Sequence, residues 1–168
     1  EYIRDCYSTK GERSFDCQFM QGDVYEKPFT VIACEPVDVP PENESSQPIG
    51  RHLDGCRIGF DLGASDRKSS AVIDGNAVYS EEVIWEPKGQ SDPEYHYREI
   101  MASLSAAAGK MPRVDAIGGS AAGIYIDNRV RIASLFRGIS ANKYDRVRNL
   151  FIHIRDEMGV PLEIVNDG

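Results

Sequence analysis

From Cys56 onward the chain alternates. Cys56, Ile58, Phe60 and Leu62 are apolar while Arg57, Gly59 and Asp61 are not, and this two-residue period predicts a strand with one face in a core. Gly63-Ala64-Ser65-Asp66 breaks the pattern as a tight turn, Ser70–Ile73 resumes it, Asp74-Gly75-Asn76 supplies hairpin-turn chemistry, and Ala77–Trp85 reads as a third strand. The period then changes. Asp92-Pro93 fits a helix N-cap followed by proline at the first helical position, and Tyr97, Ile100, Met101, Leu104 and Ala108 fall at spacings of three and four, closed by Gly109 and Pro112. Val114–Gly118 is strand-like, and Ile124–Ile126 and Val130–Ala133 flank a turn at Asp127-Asn128. A second helix is expected from about Asn142 to Met158, carrying Val147, Leu150, Phe151, Ile154 and Met158 on one face. Gly159 suits its C-terminal cap, and Leu162–Val165 is a final strand.

The order βββ, α, β, short β elements, α, β implies a mixed sheet: three antiparallel strands, then helix-linked crossovers. It is not the steady βαβ alternation of a Rossmann domain. Residues 1–35 hold a plausible strand at Phe29–Cys34 after a polar start without helical period. Residues 36–50 carry four prolines among acids and serines, the composition of an extended linker. The expected division is therefore 1–50 as appendage and linker, and 51–168 as the main domain. The chain opens with Glu1, for which processing or a recombinant boundary could account, and its stop at Gly168 just after a strand suggests part of a longer polypeptide.

At 168 residues there is room for one ordinary core, and a hydrophobic content of 41% excludes collagen-like, coiled-coil and wholly disordered chains. No run approaches the ~20 apolar residues of a membrane span, so no membrane partner is expected. A net charge of −8 without a concentrated basic face argues against nucleic acid and favours small molecules or proteins. The four cysteines, Cys6, Cys17, Cys34 and Cys56, fit neither a zinc site nor a dense disulfide scaffold. Free thiols in a reducing cytoplasm are the reading adopted, with a Cys6–Cys17 bridge as the alternative.

Two segments can carry chemistry. In Ile58–Ser65, Asp61 nears the end of a buried strand and Gly63, Ala64 and Ser65 follow with almost no side-chain bulk. Their N–H groups could approach a phosphate closely, with the Ser65 hydroxyl as a further donor. A carboxylate beside a phosphate calls for Mg²⁺ and its waters between them; the plain alternative is a strand ending in a glycine turn. In Pro161–Gly168, an apolar strand delivers Asn166 and Asp167 at its C-terminal end, where α/β proteins commonly bind ligands. Asp167 could accept a proton from a hydroxyl attacking a γ-phosphate and Asn166 could orient that hydroxyl; the plain alternative is a turn.

GFDLGAS resembles the first phosphate motif, D-x-G-[GT]-[TS], of the actin-like ATPase and sugar-kinase superfamily. Gly-Val-Pro-Leu-Glu-Ile-Val-Asn-Asp resembles the G-x-P-V-x-V-x-N-D segment of the ROK family, which groups sugar kinases with transcriptional repressors. Between them, Asp115–Gly123 looks like that family's A-I-G-I-x-x-P-G turn. The resemblance covers residues 56–168 and implies a ribonuclease-H-like amino-terminal lobe with a five-stranded mixed sheet and flanking helices. It implies a cytoplasmic, ATP-dependent carbohydrate kinase in which Asp61 is linked to Mg²⁺ through water and Gly63, Ala64 and Ser65 hold ATP phosphates. Asn166 would contact the sugar, and Asp167 would be both sugar ligand and general base. The second lobe would lie beyond Gly168, a fragment of this kind would be inactive alone, and a homodimer is compatible with the family.

Some residues depart from the pattern. Ala64 replaces Gly or Thr, Ala122 replaces the usual Pro before Gly123, and Asp66 stands where many sugar kinases have Lys or Asn. These changes keep open a non-catalytic member of the fold that senses sugar or binds protein. Lys68 reads as an exposed lysine sooner than a phosphate ligand, and Trp85 with Tyr95 as aromatic packing sooner than a sugar platform. Arg129, Arg131, Arg137, Arg146 and Arg148 read as a solvated face.

Overall fold

A computed structural model describes residues 1–42 and 52–168. The chain divides into two compact units, Glu1–Arg51 and His52–Gly168.

In the first unit, α1 (Tyr2–Cys6) and α2 (Ser14–Gln18) are single turns of helix, and α2 runs into a π-helical turn at Phe19–Val24. Cys6, Cys17 and Val24 are its buried apolar residues, and all four cysteines of the chain are free thiols. The strand expected at Phe29–Cys34 is not formed. No strand exists among the described residues of this unit for it to pair with, and an unpaired strand leaves its backbone groups to water. The expected linker begins with a 3-10 turn at Pro36–Asp38, and its residues 43–50 lie outside the described residues.

The second unit is built on a five-stranded sheet. Its members are β1 (Cys56–Leu62), β2 (Asp66–Ile73), β3 (Asn76–Ile84), β4 (Ala116–Ala121) and, after a separate hairpin of β5 (Ile124–Ile126) and β6 (Arg129–Ile132), β7 (Leu162–Val165). The spatial order is β3-β2-β1-β4-β7, with β1, β2 and β3 antiparallel in sequence and β1, β4 and β7 parallel. The tight β2–β3 turn holds Asp74 and Gly75 at φ 48° and 82°, the left-handed pair that matches the twist of a two-residue hairpin.

Strand β2 begins four residues before the expected Ser70. The alternation was hidden because Arg67 and Ser69 face inward: Arg67 is 5% exposed and pairs with Glu99 at 2.8 Å while its Nε donates to the Glu99 carbonyl. Strand β4 likewise runs past the expected Gly118. Gly119 is required there, since a Cβ would lie 2.0 Å from Phe60 Cζ.

One face of the sheet carries Ile58, Phe60, Leu62, Ala71, Ile117, Leu162 and Ile164 into the core with the helices. Helix α3 (Pro93–Ala108) starts as expected, Asp92 accepting from the Glu94 N–H. Its buried stripe is Pro93, His96, Ile100, Ser103, Leu104 and Ala107, so Tyr97, Met101 and Ala108 sit at its margin. The stripe is rotated because His96 and Ser103 are buried polar residues, and His96 Nε2 lies 3.0 Å and 3.2 Å from the Pro87 and Leu135 carbonyls.

The expected single helix over 142–158 is three pieces: a 3-10 turn at Ala141–Lys143, α4 (Tyr144–Arg148) and α5 (Leu150–Met158). At the break, Asn149 Nδ2 donates to the Asp145 carbonyl at 3.0 Å, a side-chain bond that competes with the helical ladder. Gly159 caps α5 at φ 66°. Asn128 then ties the β5–β6 hairpin to β7, donating to the Leu162 carbonyl and accepting from the Ile164 N–H at 2.9 Å. Among the described residues no helix is long and apolar enough to cross a membrane.

Candidate phosphate and sugar site

Strand pairing brings the two chemically suggestive segments to one edge. Asp61 is opposite Ser120 across β1 and β4, and Ser120 is opposite Val165 across β4 and β7. The three strands run parallel, so their carboxyl ends coincide, and Asp167 lies two residues past Val165. Two interstrand steps of ~4.8 Å separate β1 from β7, so the two strand ends are about 10 Å apart.

Asp61 occupies the sheet face opposite the core. Ser120 Oγ donates to its Oδ1 at 2.6 Å, and Lys68 is its register partner on β2. Gly59 and Ser70 continue this face beneath a shallow hollow of about 300 Å³ that Asp61 and Lys68 border. Ser120 was not singled out as a site residue. Only the β1–β4 register reveals it, and no local pattern encodes that register.

The Gly63–Ser65 turn is held from the core side by Trp85. Its indole Nε1 donates to the Gly63 carbonyl at 2.9 Å and its backbone N–H to the Ser65 carbonyl at 3.0 Å. Peptide bonds here are trans, so the Ala64 N–H points opposite to the Gly63 carbonyl, away from the indole. Ala64 and Ser65 are exposed. Trp85 is 4% exposed, stacked on Tyr95 and edge-on to His96, so it packs in the core as expected.

Asp66 completes the turn. Its carbonyl accepts from the Gly63 N–H at 2.9 Å, its carboxylate accepts from the Ser65 hydroxyl at 3.0 Å, and it pairs with Lys68 at 3.2 Å. The Ser65 hydroxyl first, and Lys68 after it, hold the Asp66 carboxyl below the usual aspartate range. In turn Asp66 most strongly, with weaker help from Glu82 and Asp61, raises the Lys68 ammonium above the usual lysine range.

At the end of β7, Asn166 Nδ2 donates to the Gly123 carbonyl and Asn166 Oδ1 accepts from the Gly168 N–H at 2.8 Å. Both ends of this amide are thus engaged with backbone, which fixes the 123 turn and the path of the strand's exit. Asp167 is exposed. Burial first, and the nearby Asp167 charge second, push the Tyr125 phenol well above its ordinary value. The arginine stretch is partly committed elsewhere: Arg146 bonds Glu94 at 2.6 Å and lies over the Tyr97 ring.

Among the described residues no group of three or more His, Cys, Asp or Glu side chains is gathered for a metal ion. The donor set does fit a Mg²⁺ ion held mainly by phosphates and water, because Ser120 takes Asp61 Oδ1 and leaves Oδ2 for a water-mediated contact.

No protein-family model and no curated protein sequence matches the chain. Solved structures do. A glucokinase from Parabacteroides distasonis aligns over 68% of this chain and 31% of its own, at 17% identity and a TM-score of 0.53. An inorganic polyphosphate/ATP-glucomannokinase from Arthrobacter sp. strain KM aligns over 68% of this chain and 45% of its own, at 17% identity and a TM-score of 0.50. The chain thus spans less than half the length of either. With its β3-β2-β1-β4-β7 order, the second unit shares with these two kinases a ribonuclease-H-like fold, a mixed five-stranded sheet with flanking helices.

Proposed function

We propose that the second unit is the substrate-side, amino-terminal lobe of an ATP-dependent carbohydrate kinase of the ROK type. The observation that carries this reading is the parallel register of β1, β4 and β7, which sets Asp61 and Asp167 at one sheet edge with the Gly63–Ser65 turn beside them. The glucokinase and the glucomannokinase that share the fold support a sugar as substrate, and the glucomannokinase is named for inorganic polyphosphate and ATP.

In this reading the Ala64 amide and the Ser65 hydroxyl would receive ATP phosphates, and Asp61 would hold Mg²⁺ through water. The metal would supply charge neutralisation at the phosphates. Asp167 takes the proton from the sugar hydroxyl that attacks the γ-phosphate, and Asn166, braced on Gly123, sets the position of Asp167 and of the sugar. Half of a two-lobed cleft leaves the nucleotide unclamped, so the 168-residue chain alone is expected to show no ATP turnover.

The test is Asp167→Asn in the full-length enzyme, assayed with ATP and a panel of hexoses. Phosphoryl transfer falls by about 10²–10⁴, the usual worth of a positioned base, with the sugar KM little changed. Unchanged kcat removes Asp167 from the chemistry. A second reading, a non-catalytic sugar sensor on the same fold, is favoured by the engagement of Ser65 and Lys68 with Asp66. Calorimetry showing sugar binding without any phosphoryl transfer in the full-length protein selects it.

A further inference from the structure

Three donors around the Gly63–Ser65 turn already have an acceptor, and it is the same residue each time. The Asp66 carbonyl takes the Gly63 N–H, and its carboxylate takes the Ser65 hydroxyl and the Lys68 ammonium. A carboxylate with two charge-assisted or hydroxyl donors is a fair chemical stand-in for one phosphate edge. It is also a fixed negative charge where an incoming phosphate would bring more, and like charges set together in a site cost several kcal/mol at close range.

We infer that Asp66 is an internal occupant of the phosphate turn, so that a polyphosphate chain binds only by displacing its carboxylate from Ser65 and Lys68. This rests on the reading of Gly63–Ser65 as a phosphate turn and adds the residue that limits its affinity. Three features make the displacement feasible. Ser65 is exposed, the Lys68 side chain is 51% and that of Asp66 25% exposed, and the ion pair between them is close to solvent, where such pairs contribute little. Lys68 has a second carboxylate to face when Asp66 leaves, its register partner Asp61. The turn itself does not depend on the Asp66 side chain, since Trp85 and the Asp66 carbonyl hold its backbone.

The probe is inorganic tripolyphosphate, titrated into the 168-residue chain and followed by calorimetry and by fluorescence. Trp85 is the only tryptophan of the sequence and donates to the turn, so its emission reports on the site directly. Asp66→Asn keeps the size of the side chain and removes the charge, and Asp66→Ser serves the same end if the first variant folds poorly by circular dichroism. Asp54→Asn removes an equal charge at the far end of β1 and controls for net charge. The expected result is that either Asp66 variant binds tripolyphosphate about tenfold or more tightly than the native chain, while Asp54→Asn leaves affinity unchanged. Adding Lys68→Met to the Asp66 variant should reverse most of the gain.

Equal, measurable binding by the native chain and the Asp66 variants overturns the inference and leaves the phosphate turn standing. An equal gain in Asp54→Asn also overturns it, since net charge alone would then explain the effect. Absence of binding in every form overturns both the inference and the phosphate reading of the turn.

Discussion

Gly119 shows how a single missing side chain sets the site. Its Cα passes over the Phe60 ring, which is stacked on Phe151 at a centroid distance of 6.1 Å, and this close approach lets β4 lie flat beside β1. Ser120, the next residue, thereby meets Asp61. Gly119→Ala should destabilise the unit by about 1–3 kcal/mol through overpacking, measured by urea unfolding; a change under about 0.5 kcal/mol would show that the ring can yield. At this scale the sequence was only partly legible. Asp61, Gly63 and Asp167 stood out because strand ends and small-residue turns have local signatures. Ser120 did not, because its partner is distant along the chain. Asp66 was visible as a departure, yet its bonds to Ser65 and Lys68 follow from a turn geometry that residue types alone do not fix.

Helix α3 and the segments it fastens illustrate the next scale. His96 is buried and its Nε2–H donates toward the Pro87 and Leu135 carbonyls while its ring packs against Trp85, Tyr95 and Phe136. It therefore joins the chain after β3 to the 3-10 turn Ser134–Phe136 that follows β6. Burial, the largest influence, lowers its pKa below the ordinary 6.5 despite opposing backbone contacts. The sign follows by linkage. Below pH 6.5 the unfolded chain takes up a proton that folded His96 resists, so the stability it contributes is complete above that pH and declines as pH falls toward the lowered folded value. Thermal unfolding between pH 7.5 and 5.5 should show a loss of Tm that is smaller in His96→Gln; parallel slopes would contradict this role.

Element existence was readable where period and caps agreed, as in β1, the start of α3 and the end of α5 at Gly159. The start of β2 and the stripe of α3 were not, because Arg67, Ser69, His96 and Ser103 are buried polar residues, the first three with partners inside the fold. The break at Asn149 was missed for a related reason: apolar spacing continued through it while its side chain bonded Asp145.

For the whole second unit, the antiparallel meander followed by parallel crossovers was enough to foresee the mixed sheet, and in the β3-β2-β1-β4-β7 order β4 and β7 add at the edge of β1 that β2 leaves free. The first unit was not legible. Its small core of Cys6, Cys17 and Val24 lies on short helical turns with no amphipathic run long enough to show a period.

The arrangement that matters at this scale is the shared edge of β1 and β7. It is tested most directly by a ¹⁵N–¹H spectrum of the 168-residue chain with ATP and Mn²⁺ in place of Mg²⁺. Fast exchange makes paramagnetic broadening visible even at weak affinity. The account predicts that the amides of Asp61–Ser65 and of Asn166–Gly168 broaden together while those of Asp74–Asn76, at the other end of the sheet, stay sharp. Broadening confined to other parts of the unit, with both strand ends unaffected, would contradict it.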